Sequence, residues 1–169
     1  MRRQMPLSFD TKTLTIGELF SGPNVFRMPI FQRPFSWEEE TALELFGDIH
    51  QAMERYAEVE SGGYFLGPII VARSGSSSPL DVVDGQQRLV TLSAIFAILR
   101  DLLAEGAIRA ELQDCLRRPE RALRGLPEEA RVRLRPIDHE QFEAWVQTPG
   151  GTLALPDDGP TDGATDCWR

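Results

Sequence analysis

The stretch Asp84-Gly85-Gln86-Gln87-Arg88-Leu89 decides the reading of this chain. Before it, Leu80 to Val83 is an apolar, strand-like run. After it, Leu89, Leu92, Phe96, Leu99 and Leu103 recur at helical spacing, and Val90, Ala94, Ala97 and Ile98 fill other faces. A helix apolar nearly all round is a central, buried one. The hexapeptide is therefore a strand-to-helix junction. Asp84 and Gln87 have the spacing of an N-cap and its reciprocal N3 partner, with Asp in place of Ser or Thr. Capping does not call for two amides and an arginine in the first turn. The helix dipole disfavours Arg88 there, unless an anion lies between its guanidinium and the free backbone N–H groups. A plainer role stays open, in which Asp84 caps the helix and pairs with Arg88 at i,i+4. The pair of glutamines favours a polar binding site.

Working outward, the chain alternates helix and strand. Thr15-x-x-Glu18 is a capping box that opens a short helix through Phe20. Arg27 to Phe31 reads as a short strand. Ser36-x-x-Glu39 opens a long amphipathic helix with Trp37, Leu43, Phe46, Ile49 and Met53 as its apolar positions. Residues 64–72 and 80–83 form an antiparallel hairpin about the Gly/Ser turn at 74–78. A helix follows over roughly 108–116, then an edge strand over Arg131 to Arg135. Asp138-x-x-Gln141 caps a final helix with Phe142, Trp145 and Val146. From Thr148 onward periodicity stops, so residues 148–169 are expected to be a disordered tail. The expected domain is 1–147, an α+β fold with a small mixed sheet packed with several helices.

A second constellation is Pro29-Ile30-Phe31-Gln32-Arg33-Pro34-Phe35-Ser36-Trp37. Pro34 biases Arg33 toward an extended conformation. Gln32 and Arg33 then sit on a loop, anchored by Phe31, Phe35 and Trp37, with side chains free to reach away from the core. This second Gln/Arg pair repeats the chemistry of Gln86 to Arg88. Two such pairs would enclose a triphosphate or a nucleic-acid phosphate, since Arg offers bidentate donors.

Composition narrows the classes. The chain has 169 residues, 41% of them hydrophobic, and a net charge of −8. It is one domain able to bury a core, and not a general polyanion binder. Seven arginines (117, 118, 121, 124, 131, 133 and 135) crowd one region, but interleaved Glu120, Glu128 and Glu129 favour a solvated helix and edge strand over a phosphate-tracking face. Cys115 and Cys167 have no metal or redox spacing. No apolar region follows Arg2 and Arg3, and no run approaches a membrane span, so the expected location is cytoplasmic. Lys12 is the only lysine, which excludes a Walker-type Gly-Lys-Ser/Thr loop. His50, His139 and Asn24 are the only residues of their types, so neither a multi-ligand zinc site nor a His-Asn-His nuclease is expected. No metal site is assigned.

In this order, the 29–37 motif, Tyr64-Phe65-Leu66-Gly67 and Asp84-Gly85-Gln86-Gln87-Arg88-Leu89-Val90-Thr91-Leu92 resemble the N-terminal domain of GmrSD-type restriction endonucleases. Asp48-Ile49 and Arg133-Leu134-Arg135-Pro136 with Asp138 and Phe142 fit as well, and the resemblance spans about residues 14 to 147. It implies a ParB/sulfiredoxin-like domain that binds, and hydrolyses, a nucleoside triphosphate with Mg2+ in defence against modified phage DNA. On the matching positions it implies a catalytic group of Asp84, Gln86, Gln87 and Arg88. It implies phosphate contacts from Gln32, Arg33, Gly85, Gln87 and Arg88.

Family members usually continue into a helical region and a His-Asn-His nuclease. This chain is expected to be a natural short form, a partner of a separate nuclease chain, or a product truncated before that region. Three function classes stay open: a nucleotide hydrolase, a sensor of nucleotide or modified DNA that reports to a partner, and an inactive remnant. Asp84 is the only carboxylate inside either motif, so binding is better supported than turnover. No double-strand cleavage is expected of the chain alone.

Overall fold

The computed structural model describes residues 10–56, 63–73 and 79–155. The elements run α1 (Ile16–Leu19), β1 (Phe26–Arg27), α2 (Glu39–Tyr56), β2 (Ile70–Arg73), β3 (Leu80–Asp84), α3 (Gln86–Leu102), α4 (Ala107–Leu116), β4 (Arg117–Arg118), β5 (Glu129–Ala130), β6 (Val132–Arg133) and α5 (Pro136–Phe142). The fold is α+β, as expected. Four strands form one sheet in the order β2-β3-β1-β6, and β4 pairs with β5 in a small ribbon. β1 runs parallel to both β3 and β6, while β2 and β3 are antiparallel, so the sheet is mixed. The expected antiparallel pair is present, but its first strand, read over 64–72, is only Ile70–Arg73; its turn, residues 74–78, lies outside the described residues.

Alternation along the strands sorts the two faces of the sheet. Phe26, Leu80, Val82 and Val132 are buried in one core with Leu89, Val90, Leu92 and Ala97 of α3. Phe20 closes it edge-on against Phe96 at 5.1 Å. Each Val, Leu or Phe among them contributes about 1.5–3 kcal/mol on burial. On the other face Arg27 donates to both carboxylate oxygens of Asp81, its partner across the β1–β3 pair, at 2.6 and 2.9 Å.

The Thr15–Glu18 capping box forms in both directions. Other expectations need correction. The strand expected over Arg27 to Phe31 is only Phe26–Arg27, because the chain turns at Ile30 and Phe31. The Ser36–Glu39 box does not form: Ser36 gives its N–H to Gln87, and α2 begins at Glu39. Leu45 is the buried residue of α2, whereas Leu43, Phe46 and Met53 are exposed. In its last turns α3 is buried on one side only: Ala97 and Arg100 are buried, whereas Ile98 and Leu99 are exposed, as is Leu103 just beyond its end. Arg135 occupies the N-cap position of α5 without a side-chain cap, Pro136 starts the helix, and Asp138 accepts from Arg135 Nε at 2.7 Å.

The arginine-rich region is mostly paired internally. Arg117 binds Glu128 and Glu143, Arg118 and Arg133 share Glu129, and Arg135 binds Asp138. Arg131 is buried and donates to the carbonyls of Asp114, Gly22 and Asn24. Arg118 and Arg131 are thus part of the framework and not a solvated face.

The boundary at 147 also moves. After α5 the helix widens into a π turn over Glu143–Gln147, and Gly151–Ala154 forms a 3-10 turn. Asp101 accepts from Gly150 N at 2.9 Å, Thr152 N at 3.2 Å and Thr152 Oγ1 at 2.6 Å. Arg100, 1% exposed, donates to the carbonyls of Val146, Gln147 and Thr148. Residues 148–155 carry no hydrophobic period because polar bonds to this ion pair hold them. The remainder of the expected tail lies outside the described residues.

Candidate functional site

The two Gln/Arg motifs, about fifty positions apart in sequence, converge. Gln32, Arg33, Trp37, Val83, Asp84, Gly85, Gln86, Gln87 and Arg88 line one cleft of about 160 Å³. All the residues named above as catalytic or phosphate-binding are among them.

Asp84 is not the helix cap. It ends β3, and Gly85 occupies the N-cap position in a left-handed conformation with φ of +87°, without a side-chain cap. A Cβ at Gly85 would lie 2.9 Å from Ile69 Cγ1, 3.1 Å from Ile69 Cα and 3.2 Å from the Pro68 carbonyl oxygen. Both the backbone angle and the packing therefore require glycine. This turn lets the strand pass into the helix with only Gly85 in between. It leaves the first backbone N–H groups of α3 without a side-chain cap, and it frees the Asp84 carboxylate. Asp84 is exposed, and its carboxylate has no hydrogen bond or ion pair among the described residues.

The i,i+4 pairing of Asp84 with Arg88 is absent too. Arg88 reaches across to β2's approach and donates from Nη1 to the Pro68 carbonyl at 2.8 Å. Its guanidinium lies against Gly67, where an added Cβ would be 3.0 Å from Nη2 and 3.1 Å from Cζ. Gly67, at φ of +96°, is the residue that makes room for it. One bond to a neutral carbonyl leaves most of the five N–H donors of Arg88 available. Arg33 is exposed, and its side chain has no partner among the described residues.

The glutamines serve the loop. Gln86 Nε2 donates to the Arg33 carbonyl at 2.6 Å, and Gln87 Nε2 to the Pro34 carbonyl at 3.1 Å. Gln87 Oε1 accepts from Ser36 N at 3.0 Å. Gln32 Nε2 donates to the Val83 carbonyl at 3.0 Å, tying the loop to the end of β3. Two cationic side chains, a helix N-terminus and one unpaired carboxylate therefore share a small polar recess.

The sequence reading missed the support on the far side of Arg88. Gly67-Pro68-Ile69 packs against the Asp84–Arg88 turn. The Gly-Pro dipeptide was the available signal, as a mark of a turn. It also assigned Trp37 to the long helix, whereas Trp37 precedes α2 and lines the cleft.

A family model, the GmrSD restriction endonuclease N-terminal domain, matches residues 16–155. The chain belongs to this family. Its match ends at Leu155, the residue after the 3-10 turn and eight residues beyond the boundary read from periodicity. No curated protein matches the chain. The GmrSD-type domain is a component of a restriction system directed at phage, and the resemblance stated from the motifs holds over the whole described core. Among the described residues, no helix is long and apolar enough to cross a membrane.

Proposed function

We propose that the cleft binds the phosphates of a nucleoside triphosphate, and that the chain is the nucleotide-responsive module of a restriction system acting on modified phage DNA. One observation carries this: two separate Gln/Arg motifs meet at a helix N-terminus, and the Arg33 guanidinium there has no partner. The recess of about 160 Å³ is smaller than the roughly 300–1,000 Å³ of a pocket that encloses a whole ligand. It suits the phosphates, with the nucleoside outside. Arg33 and Arg88 would neutralise them from two sides. Asp84 would hold the Mg2+ that bridges phosphate oxygens, since it is the one carboxylate lining the cleft among the described residues. The turn would then do what the comparable turn does in ParB- and sulfiredoxin-like folds. On this reading the domain works in the cytoplasm, with a nuclease domain as partner and DNA as that nuclease's substrate.

The test is titration of purified protein with each of the four ribonucleoside triphosphates and Mg2+, with phosphate release followed in parallel. Arg88→Ala should weaken binding by about tenfold or more, the scale of one charge-assisted hydrogen bond. Unchanged affinity in a folded variant refutes the phosphate assignment. Binding without phosphate release would assign the domain as a sensor.

A further inference from the structure

Gln86 and Gln87 stand in the middle of the cleft motif, yet every bond of their side chains goes to one loop. Gln87 is 7% exposed. Its amide gives Nε2–H to Pro34 and takes N–H from Ser36, the pair of bonds a neighbouring strand would make. Gln86 adds the bond to the Arg33 carbonyl, and its Oε1 is buried away from solvent without a partner. From the other side Gln32 holds Val83, and its own carbonyl accepts from Arg135 Nη1 at 3.3 Å. The backbone from 32 to 36 is thus held at successive positions. The one side chain in it that carries a charge is left unpaired.

We propose that Gln86 and Gln87 are positioning residues that act through Arg33. They hold its loop so that the guanidinium faces the same cleft as Arg88, and they contact neither the phosphates nor a hydrolytic water. The proposal rests on reading the cleft as a phosphate site. Its physical content is preorganisation. A loop that presents Arg33 to the cleft only part of the time lowers apparent affinity by that fraction. Loss of the clasp can therefore cost no more affinity than loss of Arg33 itself. A residue that oriented water would behave otherwise: its removal would spare affinity and reduce turnover.

The experiment has two arms on the full chain. Without nucleotide, hydrogen exchange at the Ser36 amide reads the clasp directly; protection should be present in the wild type and lost in Gln87→Ala. With nucleotide, affinities for the four ribonucleoside triphosphates with Mg2+ are measured for Arg33→Ala, Gln87→Ala and the double variant. The double variant should bind no more weakly than Arg33→Ala alone, as expected for residues acting as one unit. Gln87→Glu gives a third readout. A protonated Glu carries one donor and one acceptor, as Gln87 uses them. Its affinity relative to wild type should therefore recover as pH is lowered from 8 to 5. Losses that multiply, roughly a hundredfold in the double variant against tenfold in each single one, overturn the proposal. So does a Ser36 amide still protected in Gln87→Ala. Should Gln87→Ala not fold, Gln86→Ala enters the same cycle through its bond to the Arg33 carbonyl. A folded Arg88→Ala that binds normally overturns the phosphate reading itself. Weakened Arg33→Ala with normal Gln87→Ala overturns the positioning role alone.

Discussion

Truncating the chain after Gln147 should cost several kcal/mol relative to truncating after Leu155. Residues 148–155 supply all three backbone and hydroxyl donors to Asp101 and one carbonyl acceptor for Arg100. The Arg100 and Asp101 side chains are 1% and 0% exposed, so the pair they form is fully desolvated. Bonds to charged groups are worth about 1.5–3 kcal/mol each, which would total more than ~6 kcal/mol. The truncation also opens the pair to water, which replaces part of that. The net loss should approach the ~3–5 kcal/mol of breaking a buried ion pair. For a domain of this size 1 kcal/mol moves Tm by ~2–4 °C, so the shorter form should melt about 10 °C lower. Calorimetry or thermal circular dichroism on the two truncations measures the difference directly, since both lack residues 156–169. A difference under ~3 °C would refute the argument. Acid should act on the same site. Burial alone would raise the Asp101 carboxyl, but Arg100, Thr152 and the Gly150 and Thr152 amides hold its pKa well below the ordinary range. The folded state then binds fewer protons than the unfolded one. This contribution is complete above about pH 5 and is lost as pH falls through the carboxylate range toward the folded pKa. Asp101→Asn should flatten that acid limb.

Two further outcomes follow from the geometry. Gly67→Ala places a Cβ against the Arg88 guanidinium and strains a positive φ, so nucleotide affinity should fall severalfold, whereas Gly63→Ala, with nothing within 4 Å, should bind as wild type in the same titration. Burial pushes the His139 imidazole down from its usual value, and its buried Nδ1 has no partner. The unfolded state then takes up the proton first, so stability should decline as pH drops below about 6.5, and His139→Gln should remove that slope in denaturant melts measured between about pH 7.5 and 5.

The sequence by itself determined the elements whose signals are local. The strand of Leu80 to Val83, the buried helix after the turn and the Thr15–Glu18 box are all written in side-chain period or in residues three positions apart. Two Gln/Arg pairs were visible as unusual chemistry, and the domain family followed from their order. Only the tertiary structure decided what those residues bond to. Asp84 reads as a cap because Asp-x-x-Gln is a capping pattern. It is not one because Asp84 is held in β3 opposite Ile70, which leaves Gly85 in the cap position. Ser36 reads as a cap for the same reason, but its N–H is taken by Gln87, a residue 51 positions away. The ordering of residues 148–155 rests on polar bonds to Asp101, and such bonds leave no trace in hydrophobic period. Local spacing encodes competition among neighbours in sequence. A cap, a clasp or a strap held from a distant element is settled by whichever partner packing brings nearest, and that partner is chosen only when the sheet and α3 have closed on one core.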